Sequence, residues 1–314
     1  MTANEAILKV ADLKQYFPIS KKFTVKAVDG VSFEIYPGET YGLVGESGSG
    51  KSTIGRSLIR LYDPTAGSIE FCGQQVGGKL NGDAKRLLRT KMQMIFQDPM
   101  ASLNPRKKVI DIITQGLEIN GIGANAQDRY QKGLALLEKV GLSPAFADRY
   151  PHQFSGGQRQ RVGIARALIM DPQLIIADES ISALDVSIQA QIVNLLKEIQ
   201  EETKIAYLFI AHDLSMVKYI SNRIGVLHLG HLLETGTTEE IFNHPVHPYT
   251  KSLLSAIPHP NPSLRDVGST YLYDYATSGL DYQKKVQHDL SPTHKVWIEP
   301  EHFDRYHQEA FQLT

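Results

Sequence analysis

Gly45-Glu46-Ser47-Gly48-Ser49-Gly50-Lys51-Ser52 lies between the compact apolar run Thr40–Val44 and a stretch of helical spacing, Ser52–Tyr62, in which Ile54, Leu58 and Leu61 fall on one side. Glycines free the backbone to curl until successive N–H groups face one point. A helix beginning near Lys51 aims the positive end of its dipole at the same place. That is a phosphate cradle. Gly45, Glu46, Ser47, Gly48, Ser49 and Gly50 are expected to wrap the phosphates, and Lys51 to reach the β- and γ-phosphates. Ser52 is expected to ligate Mg²⁺, with Thr53 beside it in the first turn of the helix. A cradle in this strand–loop–helix setting predicts an α/β P-loop fold.

Outward from the loop, Ile7–Leu13 reads as a strand, and Val31–Ile35 alternates apolar and polar residues before a Pro37-Gly38 turn. These first forty residues predict an antiparallel sheet. Leu174–Ala177, Ile205–Ile210 and Arg223–Leu229 are apolar runs of the kind buried on both faces in a parallel sheet. Val186–Glu202 is an amphipathic helix, and residues 83 to 166 are mainly helical around a turn-rich stretch, Asp98–Arg106. Strands alternating with helices predict a mostly parallel core sheet. Beyond Ile241 prolines recur and no clear period remains, so an appended extension is expected over 244–314, after a nucleotide-binding domain over 1–243.

The bulk numbers leave few other classes. With 314 residues, 42% hydrophobic and a formal net charge of −1, the chain has material for a large core and no global field for nucleic acid or anionic lipid. Met1–Leu13 carries Glu5 and Asp12 and shows no signal peptide. The densest apolar stretch, Ile205–Ala211, is far shorter than the ~20 residues of a membrane helix. Cys72 is the single cysteine, so neither an intrachain disulfide nor an iron–sulfur cluster is expected.

Leu174-Ile175-Ile176-Ala177 ends in Asp178-Glu179. Ligand groups of parallel sheets gather at the carboxyl ends of strands. Asp178 is therefore a candidate Mg²⁺ ligand and Glu179 a candidate base for an attacking water. A second glycine turn, Phe154-Ser155-Gly156-Gly157-Gln158, precedes a helix bearing Arg159, Arg161 and Arg166. One chain has little use for two anion-binding turns on one nucleotide. Two chains packed head to tail do, since each then closes the other's ATP.

This turn resembles the Leu-Ser-Gly-Gly-Gln signature of ATP-binding-cassette (ABC) ATPases, with Phe154 in place of leucine. The rest of the family's set follows in order. Gln97 resembles the Q-loop glutamine that senses Mg²⁺ and the water, Ser182-Ala183-Leu184-Asp185 the D-loop, and His212 the switch histidine. Tyr16 stands where an aromatic stacks on adenine, with Phe17 as the rival. The resemblance covers about Ile7–Ile241. It implies catalytic roles for Lys51, Gln97, Glu179 and His212, Mg²⁺ at Ser52, Gln97 and Asp178, and ATP contacts across a seam from Ser155, Gly156, Gly157, Gln158 and Asp185. One departure is Ser180-Ile181, where the family often has a proline.

Ser102-Leu103-Asn104-Pro105-Arg106, Asp185–Gln191 and His244–Pro258 resemble the peptide-permease branch, which imports oligopeptides, dipeptides or nickel. Within it the chain resembles the F-type motor of oligopeptide importers. That resemblance implies a D-type partner ATPase, two membrane-spanning permease subunits, an extracellular solute-binding protein, no nucleic acid, and a place at the cytoplasmic face of the membrane. Soluble ABC proteins of translation or DNA repair are the alternative; they usually carry paired cassettes or strong basic regions. His244 and His247 are expected to be structural rather than metal ligands. Tyr271, Tyr273, Tyr275 and Tyr282 are expected to pack a small subdomain in the extension, and the basic run Lys85, Arg86, Arg89 and Lys91 to form a solvated helix face.

Overall fold

The computed structural model describes residues 5–180, 184–257 and 272–311, without the side chains of residues 99, 100, 309 and 311. The chain opens with β1 (Leu8–Ser20), β2 (Phe23–Ile35), β3 (Thr40–Val44), α1 (Lys51–Leu58), β4 (Ala66–Phe71) and β5 (Gln74–Gln75). It continues through α2 (Gly82–Lys91), β6 (Met92–Ile95), α3 (Pro99–Ser102), α4 (Val109–Ile119), α5 (Ala126–Lys139), α6 (Gly156–Leu168), β7 (Leu174–Asp178) and α7 (Val186–Thr203). It ends with β8 (Ala206–Ile210), α8 (Leu214–Ile220), β9 (Arg223–His228), β10 (His231–Thr237), α9 (Thr238–Asn243), α10 (Pro248–Ser255), β11 (Val286–Asp289), β12 (Lys295–Ile298) and α11 (Pro300–Phe311).

Among the described residues the strands form two sheets. The smaller, β2-β1-β4-β5, is antiparallel throughout. The larger runs β11-β12-β10-β9-β3-β8-β7-β6. Its half from β9 to β6 is parallel, and its β10, β12 and β11 edge is antiparallel. The parallel strands show why their sequences are continuous apolar runs: β3, β7 and β8 are buried at every position. Alternate residues serve different cores. Ala206, Leu208 and Ile210 face the antiparallel sheet and α1, while Tyr207 and Phe209 face the helices. At about 25 cal/mol per Å² of apolar surface, two full cores sharing one sheet make its strands the least dispensable part of the fold.

The structure corrects three sequence expectations. First, α1 stops at Leu58, not Tyr62, and Leu61 is 57% exposed. Arg60 takes a left-handed φ of 61° and donates to the carbonyls of Val76 and Gly78, which turns the chain away. Second, Met92–Ile95 lies inside the stretch read as helical, yet is a strand. Methionine and glutamine favour helix locally; pairing of Gln93 with Ile175 on β7 overrides that preference. Third, the residues after Ile241 add to the main sheet: β12 pairs with β10, and Tyr249, Tyr282, Val296 and Ile298 join the larger core. Their period was hidden because β12 has only four residues. β10 itself follows β9 through Leu229 and Gly230, both at positive φ, as a tight hairpin requires. No helix among the described residues is long and apolar enough to cross a membrane.

Candidate functional site

The phosphate loop leaves β3 at the carboxyl edge of the parallel half-sheet. Gly45 (φ 150°), Gly48 (φ 81°) and Gly50 (φ 106°) adopt conformations that side chains resist. A Cβ on Gly45 would stand 2.0 Å from the Leu227 carbonyl oxygen, and one on Gly50 2.2 Å from that of Ala27. Inside the curl the Lys51 ammonium donates to Gly45 O at 2.7 Å and Glu46 O at 2.8 Å. Burial pushes this ammonium below the ordinary lysine range, while Glu179, Asp178 and Glu46 pull the other way.

β8 brings the remaining chemistry to the same edge. Ile210 pairs with Leu43 on one side and Asp178 on the other, so the ends of β3, β7 and β8 are level. The Ser52 hydroxyl on α1 donates to Asp178 Oδ1 at 2.6 Å. Asp178 is fully buried, and its Oδ2 accepts no hydrogen bond among the described residues; Arg56, one turn beyond Ser52, stands 3.8 Å from it. Burial raises this carboxyl above the usual range, with Ser52 and then Arg56 opposing. A hydroxyl and a carboxylate side by side, with one buried oxygen lacking a hydrogen bond, are the hard-oxygen donor set that Mg²⁺ takes. Arg56 was missed in the sequence, although a cation four residues after Ser52 on one helix was a readable signal.

Glu179 sits at φ 44°, its N–H bonded to Ile210 O at 2.9 Å. That rare conformation turns its half-buried carboxylate off the strand, where Gln97 Nε2 donates to it at 2.8 Å. The two residues are 82 apart in sequence. His212 stands just beyond the end of β8 and is exposed, without a hydrogen bond among the described residues. Thr53 lies half-buried on α1. Tyr16 is half-buried on β1; its hydroxyl donates to Asp29 Oδ1 at 2.5 Å, and the Lys26 ammonium lies 5.4 Å from its ring centre. Phe17, the rival, packs edge-on against Tyr62 instead.

The second glycine turn is elsewhere. Ser155 caps α6, accepting from Gln158 N at 3.3 Å, while Gln158 Oε1 accepts from Ser155 N at 3.0 Å. Ser155 and Gly156 are exposed, and no hydrogen bond joins residues 155–158 to residues 45–53 among those described. Gly157 packs closely: a Cβ there would stand 2.7 Å from Ile188 Cγ2 on α7, so a larger residue would have to displace that side chain. Asp185 is exposed at the start of α7 and shows no side-chain cap. Ile181, Ser182 and Ala183 lie outside the described residues, so the D-loop is seen only at Leu184 and Asp185.

The other sequence candidates fall into structural places. His247 is buried at the head of α10, where its Nδ1 accepts from Tyr249 N, and burial lowers it to about 3. Tyr273, Tyr275 and Tyr282 surround His228 on the main body, and Tyr271 lies outside the described residues. In the basic run on α2, Lys91 pairs with Asp171 at 2.9 Å.

Comparisons with known proteins agree with this geometry. Residues 28–182 match the ABC transporter family, and residues 233–274 match the oligopeptide/dipeptide transporter C-terminal region. The chain is 55% identical to the oligopeptide transport ATP-binding protein OppF of Bacillus subtilis, covering 93% of this chain and 96% of that protein. It is 52% identical to the dipeptide transport ATP-binding protein DppF of Lactococcus lactis, covering 95% of each. Among solved structures, the dimeric ATP-binding cassette MJ0796 bound to ADP and Pi shares 28% identity and a TM-score of 0.67, over 74% of this chain and 98% of that one. The cbiO1 subunit of Clostridium perfringens shares 27% identity and the same TM-score, over 76% and 91%. A relative above half identity along nearly its whole length, joined to a P-loop whose serine, carboxylates and Q-loop glutamine meet at one sheet edge, places the chain in the ABC transporter family as an ATP-hydrolysing, ATP-binding subunit.

Proposed function

We propose that this chain is the motor of an importer that takes up oligopeptides, lying at the cytoplasmic face of the membrane. Residues 1–243 form its nucleotide-binding domain, with the helical part inserted over about 83–166, and residues 244–314 a peptide-permease-type extension. The peptide reading rests on similarity, nearly end to end, to oligopeptide transport ATP-binding proteins. A dipeptide cargo is the second reading, supported by the similarity to the Lactococcus protein.

The observation that carries the mechanism is the contrast in completeness between the two glycine turns. At the sheet edge Ser52 bonds to Asp178, Gln97 to Glu179, and Lys51 to the carbonyls of its own loop; at α6 the side chains of the turn Ser155, Gly156, Gly157 and Gln158 bond only within it, with Ser155 and Gly156 exposed, among the described residues. In our reading a partner ATPase of the D type docks head to tail, so that this second turn and Asp185 cover the partner's nucleotide and the partner's turn covers this one. The dimeric state of the MJ0796 cassette supports an assembly of two such chains. The loop Gly45–Gly50 wraps the phosphates with its inward-facing backbone N–H groups, the outward one of Glu46 excepted, and Tyr16 supports the base. Ser52, Asp178 and Gln97 would hold Mg²⁺, which would supply countercharge to the phosphates. Lys51 and His212 stabilise charge on the transferred group, and Glu179, steadied by Gln97, takes a proton from the attacking water. Because Gln97 precedes α3 and α4, the helical segment carries this change to two membrane-spanning permease subunits, which an extracellular solute-binding protein supplies. The residues present call for no iron–sulfur cluster and no nucleic acid.

Reconstitution of the chain with the partner ATPase, permease subunits and binding protein in vesicles tests the reading. ATP-dependent accumulation of a tri- to pentapeptide is expected. Full ATP hydrolysis by the isolated monomer, or retention with ribosomes or DNA instead of membranes, would sink it.

A further inference from the structure

The phosphate loop has a contact on its outer side that its own motif does not contain. The N–H of Glu46 donates to the Tyr249 hydroxyl at 2.9 Å, across 203 residues of sequence. That N–H and the carbonyl of Gly45 belong to one peptide group, and no peptide bond among the described residues is cis. In a trans peptide the C=O and the N–H point in opposite directions within one rigid plane. On the inner side of this plane Gly45 O accepts from the Lys51 ammonium at 2.7 Å. One planar unit thus has Lys51 on one face of the loop and Tyr249 on the other. Were the plane to flip, an N–H dipole would point at the ammonium and the carbonyl would point at Tyr249.

Tyr249 is itself firmly held. It is 1% exposed, and its ring stacks on His228 with centroids 4.1 Å apart. Its own N–H bonds to His247 Nδ1 at 3.1 Å. The N–H groups of Val246 and His247 both donate to Glu234, a carboxylate on β10 at 0% exposure, which His294 also meets at 2.8 Å. The anchor therefore runs from the main sheet through Glu234 to the turn before α10, and from there to the loop.

We propose that Tyr249 is a positioning residue for Lys51: its hydroxyl fixes the Gly45–Glu46 peptide plane, and through it the ammonium that meets the nucleotide. The inference rests on the reading of Lys51 as a phosphate ligand. It assigns the C-terminal extension a part in nucleotide binding. The hydroxyl is buried while Glu46 is exposed, so removing the hydroxyl frees the plane to turn or leaves the Glu46 N–H to bond to water, which does not hold the plane in place.

The test uses the full chain with Mg²⁺ and ATP. Tyr249→Phe keeps the ring and its stacking and removes one oxygen. ATP affinity of the chain should fall about 3- to 10-fold, the range of one net hydrogen bond. In the assembled transporter KM for ATP should rise by the same factor with kcat within about twofold, because Glu179 and Gln97 are untouched. Tyr282→Phe removes a hydroxyl from the same cluster, bonded to His228 and not to the loop, and should leave ATP affinity unchanged. Unchanged affinity in Tyr249→Phe, or an equal loss in Tyr282→Phe, overturns the proposal. Lys51→Ala separates the two claims: if it binds ATP as the wild type does, the reading of the loop has failed, and if it does not, only the role of Tyr249 is at stake. Should Tyr249→Phe not fold, hydrogen exchange in the wild-type chain decides. Protection of the Glu46 amide supports the bond, and exchange at the rate of open loop residues overturns it.

Discussion

Two turns in this molecule use the same parts, glycines, a serine and a helix N-terminus, and they are finished very differently. The turn over residues 45–52 is backed by Leu227 and Ala27, braced by Tyr249, and faced by two carboxylates. The turn over 155–158 satisfies itself through a reciprocal Ser155–Gln158 cap and otherwise faces outward. A helix N-terminus has N–H groups that need acceptors. In the first turn the surroundings are arranged to receive an anion with its metal. In the second the N–H groups of Ser155 and Gln158 are satisfied by the turn's own side chains. Local chemistry makes a turn anion-binding; the neighbours decide whether it is a whole site or half of one.

The most damaging way to probe the first turn is at its base. Glu179→Gln keeps size and the hydrogen bond to Gln97 while removing the proton acceptor, so ATP binding should persist and turnover in the assembled transporter should fall by roughly 10²- to 10⁴-fold. Steady-state ATPase assays read this directly, and near-normal turnover would break the assignment. The second turn should answer differently. Ser155→Arg adds bulk and charge on an exposed surface. ATP affinity of the isolated chain should stay within about twofold, while hydrolysis by the assembled pair should fall by ~10-fold or more, as loss of a transition-state donor predicts. If Ser155→Arg weakens ATP binding by the lone chain as Lys51→Ala does, the two turns serve one nucleotide and the comparison fails.

A smaller effect comes from the histidines buried where β9, β10 and the extension meet. Burial holds His228 and His231 at about 4 and His247 at about 3, all below the free value of 6.5. Between about 4 and 6.5 the unfolded chain therefore binds more protons than the folded one, and stability falls as pH drops through that window. Each histidine that stays neutral when native contributes a slope on the order of 1.4 kcal/mol per pH unit below 6.5. Lys285, pushed down to about 7, has the same sign between about 7 and 10.5, whereas Asp178 and Glu39, raised by burial, act in the opposite direction above 3.8 and 4.5. Thermal melts from pH 7 to 4.5 should show a falling midpoint, and His247→Asn should flatten the curve. A pH-independent midpoint would show that the histidines are not held neutral.

Much was legible from the chain alone, and for one reason. Where a function needs a fixed spacing along the backbone, the spacing is in the sequence. The curl of residues 45–52 depends on glycines at set positions, and the strands β3, β7 and β8 had to be unbroken apolar runs because both faces are covered. Asp178 and Glu179 were readable as the end of such a run. What the sequence hides is pairing between distant elements. Met92–Ile95 became a strand only because β7 lay beside it, and β12 only because β10 offered a free edge.

The final division is the same. By itself the sequence determined the phosphate cradle, the acidic pair and the second glycine turn, since each is built from residues within a short stretch of chain. Only the tertiary structure decided that Gln97 meets Glu179, that Arg56 meets Asp178 and that Tyr249 braces the loop from 203 residues away. A hydrogen bond acts over about 3 Å, and which distant groups come that close is set by how the sheet stacks its strands.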